Sequence, residues 1–132
     1  MASIVTFQEV LNHGDRRGFS FTVPAEALAF LGGVGDVHLS SVLPSAVRGN
    51  HYHTLRREVI LVNYHTEWSF HWDEGEGSPA QHRQFAGTGA VLVLLEPGAS
   101  HAVRNDGNGS QVLAAVLSAP YDPNETVARR VV

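Results

Sequence analysis

The sequence predicts an all-β domain, closed into a barrel or built from two packed sheets, and three observations predict it. Glycine (13) and proline (6) cut the 132-residue chain into short segments, at the spacing of roughly 8–12 residues typical of β-sandwiches and barrels. Apolar and polar residues alternate within them: Trp68, Phe70 and Trp72 interleave with Glu67, Ser69 and His71, the period of a half-buried strand. Only one stretch, AEALAF, has helical composition.

Taken in order, strands are expected at Ile4–Val10, Phe19–Val23, Asp36–Leu43, Gly49–His53, Glu58–Asn63, Thr66–Asp73, Gln81–Phe85, Ala90–Glu96, Ser100–Asn105 and Gln111–Ser118. The turn-forming segments HGDRRG, DEGEGSP, GTG, EPG and DGNG separate them. Pro24 suits the first turn of the short helix, and Gly32-Gly33 stops it. Val91–Leu95 is apolar at every position, which predicts burial on both faces. So many short strands are best buried by closing a sheet or packing two.

The length fits one domain, 1–132, and no repeat or linker divides it. Net charge is −4 and the nine basic residues are scattered, the wrong footprint for nucleic acid. No apolar run of about 18 residues is present to span a membrane, and the N-terminus has no signal-peptide pattern. Without cysteine there is no disulfide and no thiolate-held metal. Cytoplasm is the expected location. Eight histidines stand out, and any transition metal would have to use them with carboxylates.

Two of them carry a pattern. On a strand His51 and His53 project from one face, about 6.5–7 Å apart along the chain, with Tyr52 on the other. Glu58 follows at an odd offset, so the chain must turn near Thr54–Arg57 and return on a second strand beside the first. Glu58, Ile60 and Val62 then share an inward face, and a buried carboxylate needs a cation or strong donors. Farther on, His101 shares a face with Val103 and Asn105. Three imidazoles and a carboxylate suit Zn, Mn, Fe, Ni or Co. Arg56 and Arg57 are expected to be solvated in the turn, His65 and His71 exposed on strands, and Asn105 to support a turn. His13, His38 and His82 show no pattern.

The residues resemble the two cupin motifs. Gly49-Asn50-His51-Tyr52-His53, four residues, then Glu58 matches the first; Gly98-Ala99-Ser100-His101, three residues, then Asn105 matches the second. The first motif's closing glycine is replaced around Tyr64-His65, and the second motif's proline comes one place late, at Pro97. The resemblance implies a single-domain double-stranded β-helix, or jelly-roll barrel, with its core at about 36–118. It further implies a homodimer, with N-terminal strands within 1–23, Met1–Val10 above all, exchanged between subunits.

A narrower resemblance rests on RGNHYH, on the upstream DRRGF and on the closing YDPN. These are similar to the sugar-nucleotide epimerases and ketoisomerases, and most of all to the metal-binding cupin domain of capsular-polysaccharide reductase/epimerases. In the metal-free epimerases the histidine matching His51 is a general base and the arginine matching Arg48 holds the diphosphate; in metal-type cupins His51, His53, Glu58 and His101 are ligands. The retained Glu58 favours a divalent transition metal. The expected function is epimerisation or isomerisation of a nucleotide-linked keto-sugar by proton abstraction beside the carbonyl, with the metal polarising the oxygen and His51 or bound hydroxide taking the proton. Arg48, Trp68, Phe70 and Trp72 are candidate substrate contacts, the aromatics also reading as core. The alternatives are a cupin that binds a carbohydrate or acid without turnover, and a metal-dependent oxygenase of a small acid. No acid partner for His51 can be assigned.

Overall fold

The computed structural model describes residues 3–132, so Met1 and Ala2 of the expected first strand lie outside the described residues. Its elements are β1 (Val5–Glu9), α1 (Ala25–Leu31), β2 (Asp36–Val42), β3 (Val47–His53), β4 (Glu58–Tyr64), β5 (Trp68–Trp72), β6 (Gln81–Phe85), β7 (Gly89–Leu95), β8 (His101–Asn105), β9 (Gln111–Leu117) and β10 (Thr126–Ala128). They form two five-stranded antiparallel sheets, β1-β7-β4-β9-β2 and β10-β3-β8-β5-β6. This is the cupin double sheet.

The helix follows from its ends. Pro24 caps it at φ −60°, and Gly32 closes it in the left-handed region at φ 73°, its N–H donating to the Leu28 carbonyl. Ala27 and Leu31 press onto Val59 and Leu92, which is why β4 and β7 are apolar on both faces. Phe21 and Val23 join the same cluster. Their alternation therefore serves packing, and the strand expected at Phe19–Val23 does not form; an isolated Asp15–Gly18 bridge lies just before that segment.

Between the sheets, Trp68, Phe70, Phe85, Val62 and Val93 fill one half of the barrel. Trp68 stacks on Phe85 with ring centroids 4.3 Å apart and planes 8° apart. Each such side chain contributes about 1.5–3 kcal/mol by leaving water. The opposite face of β5, expected to meet water or a partner, is buried within the chain: Ser69 donates to or accepts from His71 Nε2 at 2.9 Å, and the His82 ring lies against His71. His71 is thus a buried residue, not an exposed one. No helix among the described residues is long and apolar enough to cross a membrane.

Candidate functional site

The site begins with an irregularity in β3. Gly49 pairs with Ala102 and His51 with His101, so Asn50 is an extra residue opposite nothing. Such a bulge reverses the alternation on one side of itself. Arg48 consequently pairs with Val103 and turns to the same face as His51, which a regular strand would forbid. The residue types make the bulge possible. Gly49 has φ 112° and Asn50 φ 59°, and a Cβ on Gly49 would stand 2.5 Å from the His101 carbonyl oxygen. Asn50 also ties down the C-terminus, its Oδ1 accepting from the Val131 N–H at 2.8 Å.

After His53 the chain does turn, but β4 does not return beside β3. It crosses to the other sheet, between β7 and β9. Glu58 therefore meets the histidines from across the barrel. Its Oε1 lies 3.1 Å from His53 Nε2 and 3.0 Å from His101 Nε2. The nitrogens of His51, His53 and His101 lie within 4.8 Å of one another. All four motif residues come together, with Phe70 stacked beneath His101 at 6.2 Å.

Two partners were invisible in the sequence. Glu125, delivered by the YDPN turn through its N–H to the Asp122 carbonyl, accepts from His53 Nδ1 at 2.9 Å. It also accepts from the Leu55 and Arg56 amides and from Arg56 Nε at 2.7 Å. Arg56 is thus not the solvated residue expected of a turn; it is 4% exposed and reaches on to Asp36 at 3.3 Å. Arg57 does stay exposed, pairing with Glu96. A composition of charged turn residues cannot tell which arginine turns inward, because the acceptor lies nearly seventy residues away.

The charges follow from these contacts. Burial alone would raise Glu58, but hydrogen bonds from His101 and His53 outweigh it and hold the carboxyl well below its usual range. Burial also works against Glu125, yet the Arg56 and Leu55 amides, the Arg56 guanidinium and His53 bring it to about 2. Burial opposes a charged His53; the bonds and charges of Glu58 and Glu125 prevail and raise it. His51 has no such partner. Burial first, then His101 and His53 against the opposing pull of Glu58, push it down to about 4.

His51 and Glu58 line a cavity of about 510 Å³ together with Asp36, His38, Arg56 and Tyr121. A neighbouring cavity of about 200 Å³ shares His38, His51 and Glu58 as lining and adds Arg48 and His101. The combined space suits a small-molecule ligand. Trp68, Phe70 and Trp72 line neither part. Trp68 and Phe70 are 1% and 0% exposed, and Trp72 packs against Phe7 at 5.1 Å; they are core residues with no face for a substrate. His38 is the reverse case. Nothing in its spacing to the motifs marked it, yet Asp36, His38 and Ser40 are alternate residues of β2 and all reach the cavity.

No protein-family model matches the sequence, and no curated protein matches it. Solved structures do. ChmJ, a 3'-monoepimerase from Streptomyces bikiniensis solved with dTDP-quinovose, superposes with a TM-score of 0.78 at 20% identity, over 95% of this chain and 69% of that one. The epimerase RmlC from Legionella pneumophila, solved with dTDP-4-keto-L-rhamnose, gives 0.74 at 18%, over 94% and 71%. The 3,4-ketoisomerase QdtA from Thermoanaerobacterium thermosaccharolyticum, solved with TDP-4-keto-6-deoxyglucose, gives 0.71 at 14%, over 96% and 88%. These neighbours overturn the expected transition-metal cofactor, since they are epimerases of the kind described above as working through a bare histidine. His53 Nδ1 faces Glu125 and His101 Nδ1 faces the Ala99 carbonyl, contacts that fix the two rings in place, and Glu58 bridges their Nε2 atoms. Zn, Mn, Fe, Ni and Co are all withdrawn. The chain has the fold of the cupin sugar-nucleotide epimerases and isomerases.

Proposed function

We propose that this protein is an epimerase or isomerase of a nucleotide-linked keto-sugar, with His51 as the base that removes the proton beside the ketone. One observation carries this reading: His51 lines the cavity with no hydrogen-bonded partner among the described residues, while Arg48 is turned to the same face by the bulge. An uncharged imidazole is what a base must be at neutral pH. The guanidinium of Arg48, anchored to the Ser41 carbonyl through Nε, leaves its terminal nitrogens for a diphosphate. His53, Glu58, His101 and Glu125 form a closed network beside the base and fix its surroundings. The oxygenase reading falls with the metal.

Subunit pairing belongs to the same proposal. Val37, Leu39 and Val112 are 62%, 74% and 55% exposed on the outer face of the edge strand β2 and its neighbour, which supports a homodimer. The β1–β7 ladder from Val5↔Leu95 to Glu9↔Val91 is the pairing that an exchanged strand would use.

The test is incubation with TDP-4-keto-6-deoxyglucose in deuterium oxide, read by NMR. Deuterium should enter the carbon beside the ketone, His51→Asn should abolish this, and EDTA dialysis should leave it unchanged. Arg48→Met should raise KM by about tenfold or more with a smaller change in kcat. A wild-type protein that incorporates no deuterium, or that loses the reaction with EDTA, would defeat the reading.

A further inference from the structure

The site described so far has a base, and β2 offers a second proton-transfer group on the facing sheet. Its inward row runs Asp36, His38, Ser40 and Val42, paired with Leu117, Ala115, Leu113 and Gln111 of β9. The small Ala115 beside His38 leaves the imidazole room to stand in the cavity. His38 lines both the larger cavity and its smaller neighbour, as His51 does. The two histidines belong to different sheets, so they approach a ligand held between the sheets from opposite sides. A carboxylate stands near one end of the ring: Asp36 Oδ2 lies 3.6 Å from His38 Nδ1 and 3.3 Å from Arg56 Nη1. Arg56 is buried and bound to Glu125, so Asp36 is itself anchored. The side chain of His38 is half exposed, and that exposed half faces the cavity.

We propose that His38 is the second proton-transfer group of the site, protonating the substrate carbon on the face opposite to the one deprotonated by His51, with Asp36 as its positioning residue. This rests on the keto-sugar reading above. The step balances without a co-reactant. His51 takes the proton as the C–H bond breaks and its electrons move into the enolate. A new C–H bond then forms with the proton from His38, leaving that ring neutral and His51 charged, and both return to their starting states by exchange with water. Inversion at that carbon is the outcome, because donor and acceptor lie on opposite sheets.

His38→Gln and the smaller His38→Asn separate this from other roles, using TDP-4-keto-6-deoxyglucose in deuterium oxide. Wild type should yield inverted product carrying solvent deuterium. Both variants should lose inversion by about 100-fold or more, the usual worth of a positioned proton donor. They should still wash deuterium into substrate of retained configuration, within about threefold of the wild-type exchange rate, because His51 is intact. Asp36→Asn should slow inversion by about tenfold and spare the exchange. Variants that invert at the wild-type rate, or that lose exchange and inversion together, overturn the assignment. Absence of both from wild type overturns the keto-sugar reading and this inference with it.

Discussion

Removing the charge of Glu125 is the sharpest test of the network beneath the base. Its carboxylate accepts two backbone amides, the Arg56 guanidinium and His53, and is 4% exposed. Folding moves its proton affinity from an ordinary 4.5 to about 2. Each tenfold change is worth about 1.4 kcal/mol, so the ionised group contributes about 3 kcal/mol. That is at the lower end of the ~3–5 kcal/mol expected for breaking a buried charge pair. Because the folded value is the lower one, the stabilisation is complete above pH 4.5 and disappears as the pH falls through 2. Glu125→Gln keeps the shape and loses the charge. Urea unfolding at pH 7 should therefore place it about 3 kcal/mol below wild type, a large part of the ~5–15 kcal/mol total of a domain. At pH 2.5 most of that gap should be gone. A gap below about 1 kcal/mol at pH 7, or one that persists undiminished in acid, refutes the network as drawn.

Three further outcomes are expected. Gly49→Ala puts a Cβ 2.5 Å from the His101 carbonyl oxygen at φ 112°; it should destabilise by about 2–3 kcal/mol in urea unfolding and weaken nucleotide binding by calorimetry, since the bulge is what turns Arg48 inward. His51 stays uncharged down to about pH 4, so kcat/KM should show no acid limb attributable to it until the pH falls towards that value. A ring that titrates near its ordinary 6.5 by NMR contradicts this. Trp68→Phe should cost stability, about 1–3 kcal/mol by thermal or urea unfolding, and leave KM unchanged, because Trp68 stacks on Phe85 inside the barrel.

Much of the fold was legible because strand periodicity is a local signal. Alternation located β1 to β9, and the Pro24 and Gly32 ends located α1 within a residue or two. What failed was non-local. Phe19–Val23 has a strand's alternation but spends it on the helix cluster. β10 is three residues long and owes its pairing to β3, not to its own composition. The return of β4 beside β3 was inferred from an odd offset, yet an odd offset is satisfied equally well by crossing to the facing sheet, as β4 does. Gly49-Asn50 carries a conformational signal beyond its place in a motif. Two adjacent residues able to hold positive φ are a bulge signal, and reading them so would have turned Arg48 inward from sequence.

The chemistry was less legible than the residues. His51, His53, Glu58 and His101 were named from spacing alone, and they meet. What each of these rings faces is decided elsewhere in the chain. Glu125 arrives from the tail and Arg56 from a turn, while Ala99 supplies a carbonyl to His101. Together with Glu58 they commit His53 and His101 to hydrogen bonds and leave His51 alone without one. The same four motif residues then separate into a closed network and one open base. Partners with no spacing rule of their own therefore set how these residues are held, and Glu58 braces two of the rings from across the barrel.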